Sequence, residues 1–232
     1  SRNQSFWADY WRVDMRDKIG QLAYSRILQA PLLYPQHFEL DPQGQLRINS
    51  PLINAGATQK SGVDFGWSLR HPGEWGVWLA QISGTWLTKS RYKETDDSEW
   101  TSELNKYSSY SGFVVPRLQM QMTLGLSQAQ WQTMATVRYI GAYDDGGFSG
   151  INADTGEGVH IDHHQVPAFW TLDVAASYEV SRQLKVRVGL ENIFNRASPL
   201  SFGGPGGWNY AANPMYASLY GRTFTLAANY RF

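Results

Sequence analysis

Three histidines and one aspartate fall together in the segment His160-Ile161-Asp162-His163-His164. Imidazole and carboxylate groups bind borderline metals, and they also hydrogen-bond polar substrates. A metal site needs ligands that converge on one point, and this segment offers no spacing rule beyond proximity. We therefore predict no metal site, and we treat His160, Asp162, His163 and His164 as candidate substrate contacts in a polar loop.

A second candidate is the glycine-rich stretch from Phe202 to Tyr210, which carries Trp208 and Tyr210. A flexible backbone can present two aromatic rings on which sugars or aromatic ligands stack. The alternative is a loop that packs its own rings. Trp208 and Tyr210 are therefore further candidate substrate contacts.

Several classes of function find no support in the residues. The acidic turns around Asp144-Asp145 and 152–157 resemble calcium ligands only loosely, because their spacing does not fit an EF-hand loop. There is no P-loop, no nucleophile–base–orienter set and no cysteine. With 20 basic and 20 acidic residues, the formal net charge is zero. We predict no enzyme activity, no cofactor and no nucleic-acid partner.

The elements that must position these loops are strands, because apolar and polar residues alternate with a period of two. Residues Leu118 to Leu126 and Trp170 to Val180 are the clearest cases. We predict eight strands, near 5–17, 54–71, 75–89, 116–126, 129–142, 168–180, 183–194 and 219–232. In two of them apolar residues interrupt the polar face: Val77 and Leu79 in the third, Met134 and Ile140 in the fifth. Bulges or contact with something on that face would explain these interruptions.

The connections between the strands alternate in length. Short links at 70–74, 127–128 and 181–183 separate long ones at 18–53, 90–115, 143–167 and 195–218. Transmembrane β-barrels have this pattern, with short turns on one side and long loops on the other. The strands are also longer than the ~5–6 residues of globular strands. The fold class predicted is therefore all-β, an antiparallel up-and-down transmembrane β-barrel.

Charged residues on the polar rows should face the barrel interior. We expect the carboxylates of Asp64, Asp173, Glu179 and Glu191 to pair with basic residues on neighbouring strands. The candidate basic partners are Arg70, Arg117, Arg138, Lys185 and Arg187.

Two segments near the end of the chain resemble a known family. Val188-Gly189-Leu190-Glu191-Asn192-Ile193-Phe194-Asn195 is similar to the penultimate-strand signature of TonB-dependent outer-membrane receptors, and 220–232 resembles their last strand. The segments 9–19 and 54–64 fit the same family in the same order. In this family, a terminal aromatic residue in phase with the apolar row is the outer-membrane assembly signal. The resemblance implies that Tyr230 and Phe232 serve this purpose.

The resemblance implies a 22-stranded barrel with an N-terminal plug, which imports siderophore-iron, haem, cobalamin or oligosaccharide across the bacterial outer membrane. Residues 1–232 match only about the last eight strands, a C-terminal barrel segment with no plug domain. The implied partners are outer-membrane lipid, the missing N-terminal barrel and plug segment, the TonB complex acting through that segment, and the outer-membrane assembly machinery.

Two alternatives stay open at this point. Eight strands can close a complete small outer-membrane barrel with an adhesion or structural role, although its narrow interior would have to hold about ten charged groups. A soluble β-sandwich that binds glycans is the other alternative, and it explains neither the sorting of the loops nor the length of the strands.

Overall fold

The computed structural model describes residues 3–21, 24–50, 52–54, 56–96, 98–108, 111, 113–146, 148–151, 154–161, 163–202 and 211–232. Eight long strands dominate it. They are β1 (Gln4–Arg16), β2 (Ala57–Gly73), β3 (Gly76–Lys93), β4 (Leu118–Gln128), β5 (Trp131–Ile140), β6 (Phe169–Glu179), β7 (Leu184–Glu191) and β8 (Thr223–Tyr230). The eight predicted strands are confirmed, with ends that shift by a few residues.

The long strands form one up-and-down sheet in which each strand lies beside its neighbours in sequence, in the order β1 to β8. The pairs from β3 to β8 are all antiparallel. Such an arrangement arises when each strand is joined to the next by a hairpin turn or a loop at the same edge. The all-β, up-and-down prediction is confirmed.

Two predicted turns lie at the wrong place. Residues 70–73, predicted as part of a turn, belong to β2, and the turn to β3 consists of Glu74 and Trp75. Ser127 and Gln128 belong to β4, where Gln128 pairs with Trp131, and the turn consists of Ala129 and Gln130. Ala129 has a φ of 43°, in the left-handed region that a tight two-residue hairpin requires. A polar dipeptide resembles a turn in sequence, but here β4 continues through it.

The pairing of β4 with β3 and with β5 contains no bulge. Pairing runs residue by residue from Leu118 to Ser127 on one side of β4 and from Gln119 to Gln128 on the other. Leu79 and Met134 both lie opposite Gly125, on the polar face. The apolar residues on this face are therefore part of a regular sheet.

The long connections contain short elements of their own. Helix α1 is Tyr24–Gln29, and Pro35–His37 is a turn of 3-10 helix. The short strands are Ile19–Gln21, Phe38–Leu40, Leu46–Ile48, Leu52–Asn54, Thr101–Ser102, Tyr107–Ser108, Phe113–Val114, Tyr143–Asp144, Phe148–Ile151, Gly158–Ile161 and Gln165–Val166. Among the described residues, no helix is long and apolar enough to cross a membrane.

The chain divides into two compact units. One consists of Ser1–Trp11, Ser61–Thr88 and Glu103–Phe232, and the other of Arg12–Lys60 and Lys89–Ser102. In the first unit, the buried core lies among the loops, where Val114, Tyr143 and Val166 pack together with Tyr107 and Tyr216. In the second, Ile27 is fully buried, and the buried His37 ring has its Nδ1 2.6 Å from the carbonyl oxygen of Asn49.

Tryptophans of β1 cover two glycines of β2 within the first unit. A Cβ atom at Gly62 would come within 2.9 Å of the Trp11 ring, and one at Gly66 would collide with the Trp7 ring. The absence of a side chain lets each indole lie directly against the neighbouring backbone. These contacts oppose sliding of β1 along β2, because any shift would bring a Cβ beneath an indole.

Candidate functional site

One face of the sheet is a continuous apolar surface. Ala80, Leu124, Ala135, Val174, Leu190 and Phe224 lie directly opposite one another in a single row across six strands. Leu124 is 52% exposed and Leu226, on an adjacent row, is 65% exposed. Contiguous exposed apolar surface of this extent is typical of a face that contacts lipid or another protein.

Aromatic residues bound this surface at both ends. Next to the short turns, the rings of Trp131 and Tyr178 pack 4.3 Å apart. At the long-loop end of the same strands, Tyr139 pairs with Trp170. Eight residues separate the two ends, which is about 26 Å along the strand, or about 20 Å of height at a tilt of roughly 40°. The apolar band of an outer-membrane barrel is about 25 Å tall, so the spacing of these aromatic belts is comparable to the height of such a band.

The opposite face is polar and carries ion pairs. Arg138 on β5 contacts Asp173 on β6, and Lys185 Nζ on β7 lies 3.4 Å from Glu179 Oε1. Asp173 and Glu179 thus pair with basic residues on neighbouring strands, as predicted for these carboxylates. Asp64 instead accepts a hydrogen bond of 2.7 Å from the Thr85 hydroxyl. A cavity of about 610 Å³ opens on this face between Leu79, Arg138, Asp173 and Thr225.

Two of the predicted substrate contacts hold loops together. His163 Nδ1 lies 3.2 Å from Asp144 Oδ2, and His164 Nδ1 lies 3.5 Å from Asp145 Oδ1. The backbone N–H of Phe202 donates to Asp145 Oδ2 at 2.5 Å, and the Phe202 ring packs 4.6 Å from the His164 imidazole. His164 is thus largely occupied by loop packing, whereas the His163 side chain is 77% exposed and accessible to a ligand.

The other predicted contacts are placed in part. His160 lies in the short strand Gly158–Ile161, opposite Ser149, and is exposed. Asp162, Trp208 and Tyr210 lie outside the described residues. No group of three or more His, Asp or Glu side chains among the described residues is arranged to hold a metal ion. The assignment of these six residues to substrate contact stays a prediction.

A pair of tyrosines, the buried Tyr143 and the partly buried Tyr216, lies beside the histidine segment. The Tyr143 hydroxyl donates to Ser201 Oγ at 3.3 Å, and the Tyr216 hydroxyl donates to the Val114 carbonyl at 2.5 Å. Burial raises the pKa of Tyr143; its side-chain hydrogen bonds with Ser201 and Asn213 oppose this rise, and the nearby Asp145 carboxylate adds to it. Burial also raises the pKa of Tyr216. Both phenols are therefore neutral, and they join the base of three loops.

Asparagine side chains fasten the turn after β7, a role that the sequence pattern did not reveal. Asn192 and Asn195 both adopt positive φ values, 49° and 50°. Asn195 Oδ1 accepts the backbone N–H of Arg222 at 2.9 Å, and a Cβ on Gly221 would approach the same oxygen to 2.7 Å. Because Gly221 has no side chain, the backbone of Arg222 can approach Asn195. This contact fixes the chain at the start of β8 beside the turn that follows β7.

Among the described residues, the two outer strands of the sheet are each paired on one side only. β1 and β8 stand at opposite ends of the strand order there and do not pair with each other. Every residue of β8 is exposed. The small closed barrel requires β1 beside β8, so this arrangement does not favour that alternative. Beyond β8, the Phe232 ring packs 5.2 Å from that of Tyr230.

One protein-family model and several solved structures are similar to this chain. A family model described as TonB dependent receptor-like, beta-barrel, matches residues 1–193. No curated protein sequence matches the chain. Among solved structures, the ferric enterobactin receptor PfeA of Pseudomonas aeruginosa aligns with a TM-score of 0.64 at 15% identity, over 100% of this chain and 29% of that one.

Two further solved structures resemble the fold of this chain. The FrpB iron transporter of Neisseria meningitidis has a TM-score of 0.60 at 15% identity, over 100% of this chain and 28% of that one. The copper transporter OprC has a TM-score of 0.56 at 14% identity, over 100% of this chain and 29% of that one. At such identities the likeness concerns the fold. The chain spans under a third of the length of each of these three proteins.

Proposed function

Because the chain belongs to the TonB-dependent receptor family, in its β-barrel part, we propose that it forms the C-terminal wall of an outer-membrane receptor that imports a scarce nutrient. The observation that carries this proposal is the apolar row from Ala80 to Phe224, in which Leu124 and Phe224 are exposed and which aromatic belts bound. A face of this kind is stable against lipid and unfavourable in water.

The opposite face suits a passage for a polar cargo. Paired charges such as Arg138 with Asp173 keep this face polar while each charge of the pair compensates the other. Candidate cargoes are siderophore-iron, haem, cobalamin and oligosaccharide. The residues proposed to contact the cargo on the outside are His160, Asp162, His163, His164, Trp208 and Tyr210. The chain's part in this process is binding and passage, not catalysis.

β1 and β8 each need a further strand along their unpaired edge. In a bilayer, unpaired N–H and C=O groups along β1 and β8 would cost several kcal/mol each. We infer that a preceding segment supplies roughly fourteen further strands, as in the 22-stranded wall of this family, together with the plug. That segment would pair with β1 and β8 and would connect the receptor to the TonB complex.

Growth on single nutrients tests the transport proposal. The gene is deleted and complemented with wild type, with an allele whose residues 154–161 are replaced by Gly and Ser, or with a control allele changed at 181–183 in a short turn. Each strain grows with one cargo class as the limiting source, with and without functional TonB. We expect the loop allele to assemble in the outer membrane but to lose uptake of one cargo, and the turn allele to retain it. The proposal would be refuted if uptake of every cargo were unchanged by deletion of the gene and by loss of functional TonB.

Cross-linking tests the missing wall. The chain has no cysteine, so Ala227→Cys on β8 and Thr136→Cys on the central strand β5 introduce the only thiols. We expect Cys at 227 to cross-link to cysteines scanned through the first strand of the preceding segment, and Cys at 136 to give no such product. Cross-linking of position 227 to β1 would instead support the small barrel.

A further inference from the structure

A second cavity opens on the polar face and shares Arg138 with the cavity described above. Its volume is about 710 Å³, within the range of sites that bind small molecules. All of its lining residues belong to the first compact unit, on strands β1 to β5. Arg138 is adjacent to Tyr139, which pairs with Trp170 at the long-loop end of the sheet. With the long loops outside, as proposed above, the cavity is near the end at which a solute enters the barrel.

The indole of Trp7 forms a flat apolar wall of this cavity. The ring lies directly over the backbone of Gly66, where a Cβ atom would collide with it, and its side chain is still 47% exposed. A ring that already rests on the sheet loses little freedom when a ligand packs on it. A half-exposed aromatic ring of this kind can receive the C–H face of a flat ligand.

Two carboxylates lie beside this ring. Asp9 follows Trp7 by two residues and is on the same side of β1, because side chains alternate along a strand. Asp64 Oδ1 accepts a hydrogen bond of 2.7 Å from the Thr85 hydroxyl. Neither Asp9 nor Asp64 forms an ion pair with a cation in the described part of the chain. Both can therefore accept hydrogen bonds from a ligand.

Hydrogen-bond donors line the same cavity. The side-chain amides of Gln119 and Gln121 can donate as well as accept. The one cation among its lining residues is Arg138, whose charge is already compensated by Asp173. The cavity thus combines an apolar ring, donors and acceptors with an excess of negative charge.

This combination discriminates between classes of cargo. An anion would be repelled by the two carboxylates, and a wholly apolar ligand would leave carboxylate and amide groups without partners. No group of three or more His, Asp or Glu side chains in the described ranges is arranged to hold a metal ion. A neutral polyhydroxylated ring meets every requirement: its hydroxyls donate to the carboxylates and accept from the amides, and its C–H face packs on the indole.

We propose that the Trp7–Asp64 cavity, made of Trp7, Asp9, Asp64, Gln119 and Gln121, binds a sugar ring of a neutral oligosaccharide as it passes along the wall. This inference rests on the proposed function and narrows its cargo to carbohydrate.

Sugar binding by the complete receptor tests the cavity. Wild type and variants are purified in a detergent that carries no sugar and are titrated by calorimetry with linear tetrasaccharides of glucose, mannose, galactose, xylose and fructose. We expect wild type to bind at least one of them. Trp7→Leu should bind the same sugar roughly tenfold more weakly, because the stacking surface is lost. Asp64→Asn keeps the size of the side chain and should weaken binding by roughly tenfold as well, because charged acceptors form the stronger hydrogen bonds.

The matched control is Trp78→Leu, the same substitution on the apolar face, where Trp78 lies opposite Leu126. It is remote from the cavity and should change affinity by less than about twofold. Trp7→Phe keeps a ring and should give an intermediate affinity. The inference would be overturned if no tetrasaccharide bound, if Trp7→Leu and Asp64→Asn both bound as wild type does, or if Trp78→Leu lost as much affinity. Tighter binding of arginine than of any sugar would replace the sugar by a cation.

Outer-membrane fractionation and TonB-dependent uptake of each cargo class are measured in the same strains. A receptor that is inserted and imports an iron complex or cobalamin through TonB, but binds no sugar, would overturn this inference and leave the proposed function in place. Absence of the receptor from the outer membrane would refute the proposed function itself.

Discussion

Placing a charge at the centre of the apolar face should strongly destabilise the protein. Val174 is the position of choice, because it lies four residues from Trp170 and four from Tyr178, the belt residues of β6. Its row neighbours are Ala135 and Leu190. No carboxylate shares this row, so an arginine there would find no ionic partner.

The expected loss of folding free energy follows from the depth of residue 174 in the membrane. Four residues correspond to about 13 Å along the strand, or about 10 Å of height at a tilt of roughly 40°. The side chain at 174 is thus near the membrane midplane, where an arginine costs about 2–4 kcal/mol. The folding equilibrium constant of Val174→Arg should fall by about 30- to 900-fold.

The adjacent residue provides the matched control. Ala175 lies one position away on the polar face, opposite Met134 and Gly189. Ala175→Arg introduces the same charge at nearly the same depth, beside water and the Asp173 carboxylate, and should cost less than about 1 kcal/mol. Val174→Ala measures the loss of the valine methyl groups alone. Denaturant titration of folding into phosphocholine vesicles, followed by tryptophan fluorescence and by heat-modifiable mobility, gives all three values.

Equal penalties for Val174→Arg and Ala175→Arg would refute the assignment of the two faces. A larger penalty at Ala175 would reverse it.

Three further predictions concern topology, assembly and pH. An epitope tag at Gly156, whose Cβ direction is open, should be accessible on intact cells, whereas a tag at Arg182 should need a permeabilised outer membrane; the reverse result would invert the topology. Deleting Phe232 should lower the yield of inserted protein far more than the stability of protein already inserted, and unchanged insertion kinetics would contradict an assembly signal. Because burial raises the pKa of Tyr143, its neutral form contributes stability that is complete below the ordinary phenol value of about 10 and is lost as the pH rises through the raised value. Tyrosinate absorbance should report loosening of the loops in this alkaline range, and Tyr143→Phe should shift that transition to higher pH.

Strands were predictable because their determinants are local. Alternation from Leu118 to Leu126 places every second side chain on one face, and this rule needs no knowledge of neighbouring strands. The pairing of Arg138 with Asp173 was also predictable, since opposite charges on the same face of adjacent strands attract. The turn at Ala129 was not, because only the pairing of Gln128 with Trp131 determines where β4 ends.

The loops were less predictable because their contacts join distant segments. Asp145 contacts His164 and the backbone of Phe202, which is 57 residues away in sequence. No periodicity links such positions. The fastening role of Asn195 likewise depends on a positive φ and on Arg222, on the far side of a long loop. Motif similarity identified these residues without indicating what their side chains do.

The hydrogen bond from Arg222 to Asn195 closes the last long loop at its base. The ends of the loop are therefore held together by this bond at its base, and an added residue within it changes the closure entropy only slightly. Insertions and deletions between these two residues that spare Ser201, Phe202 and Tyr216, which contact the neighbouring loops, would leave the register of β7 and β8 intact. The strands can thus keep one architecture while the rest of the loop changes. The anchor at the base of the loop and the sequence of the loop itself are thus separate determinants, so one can change without the other.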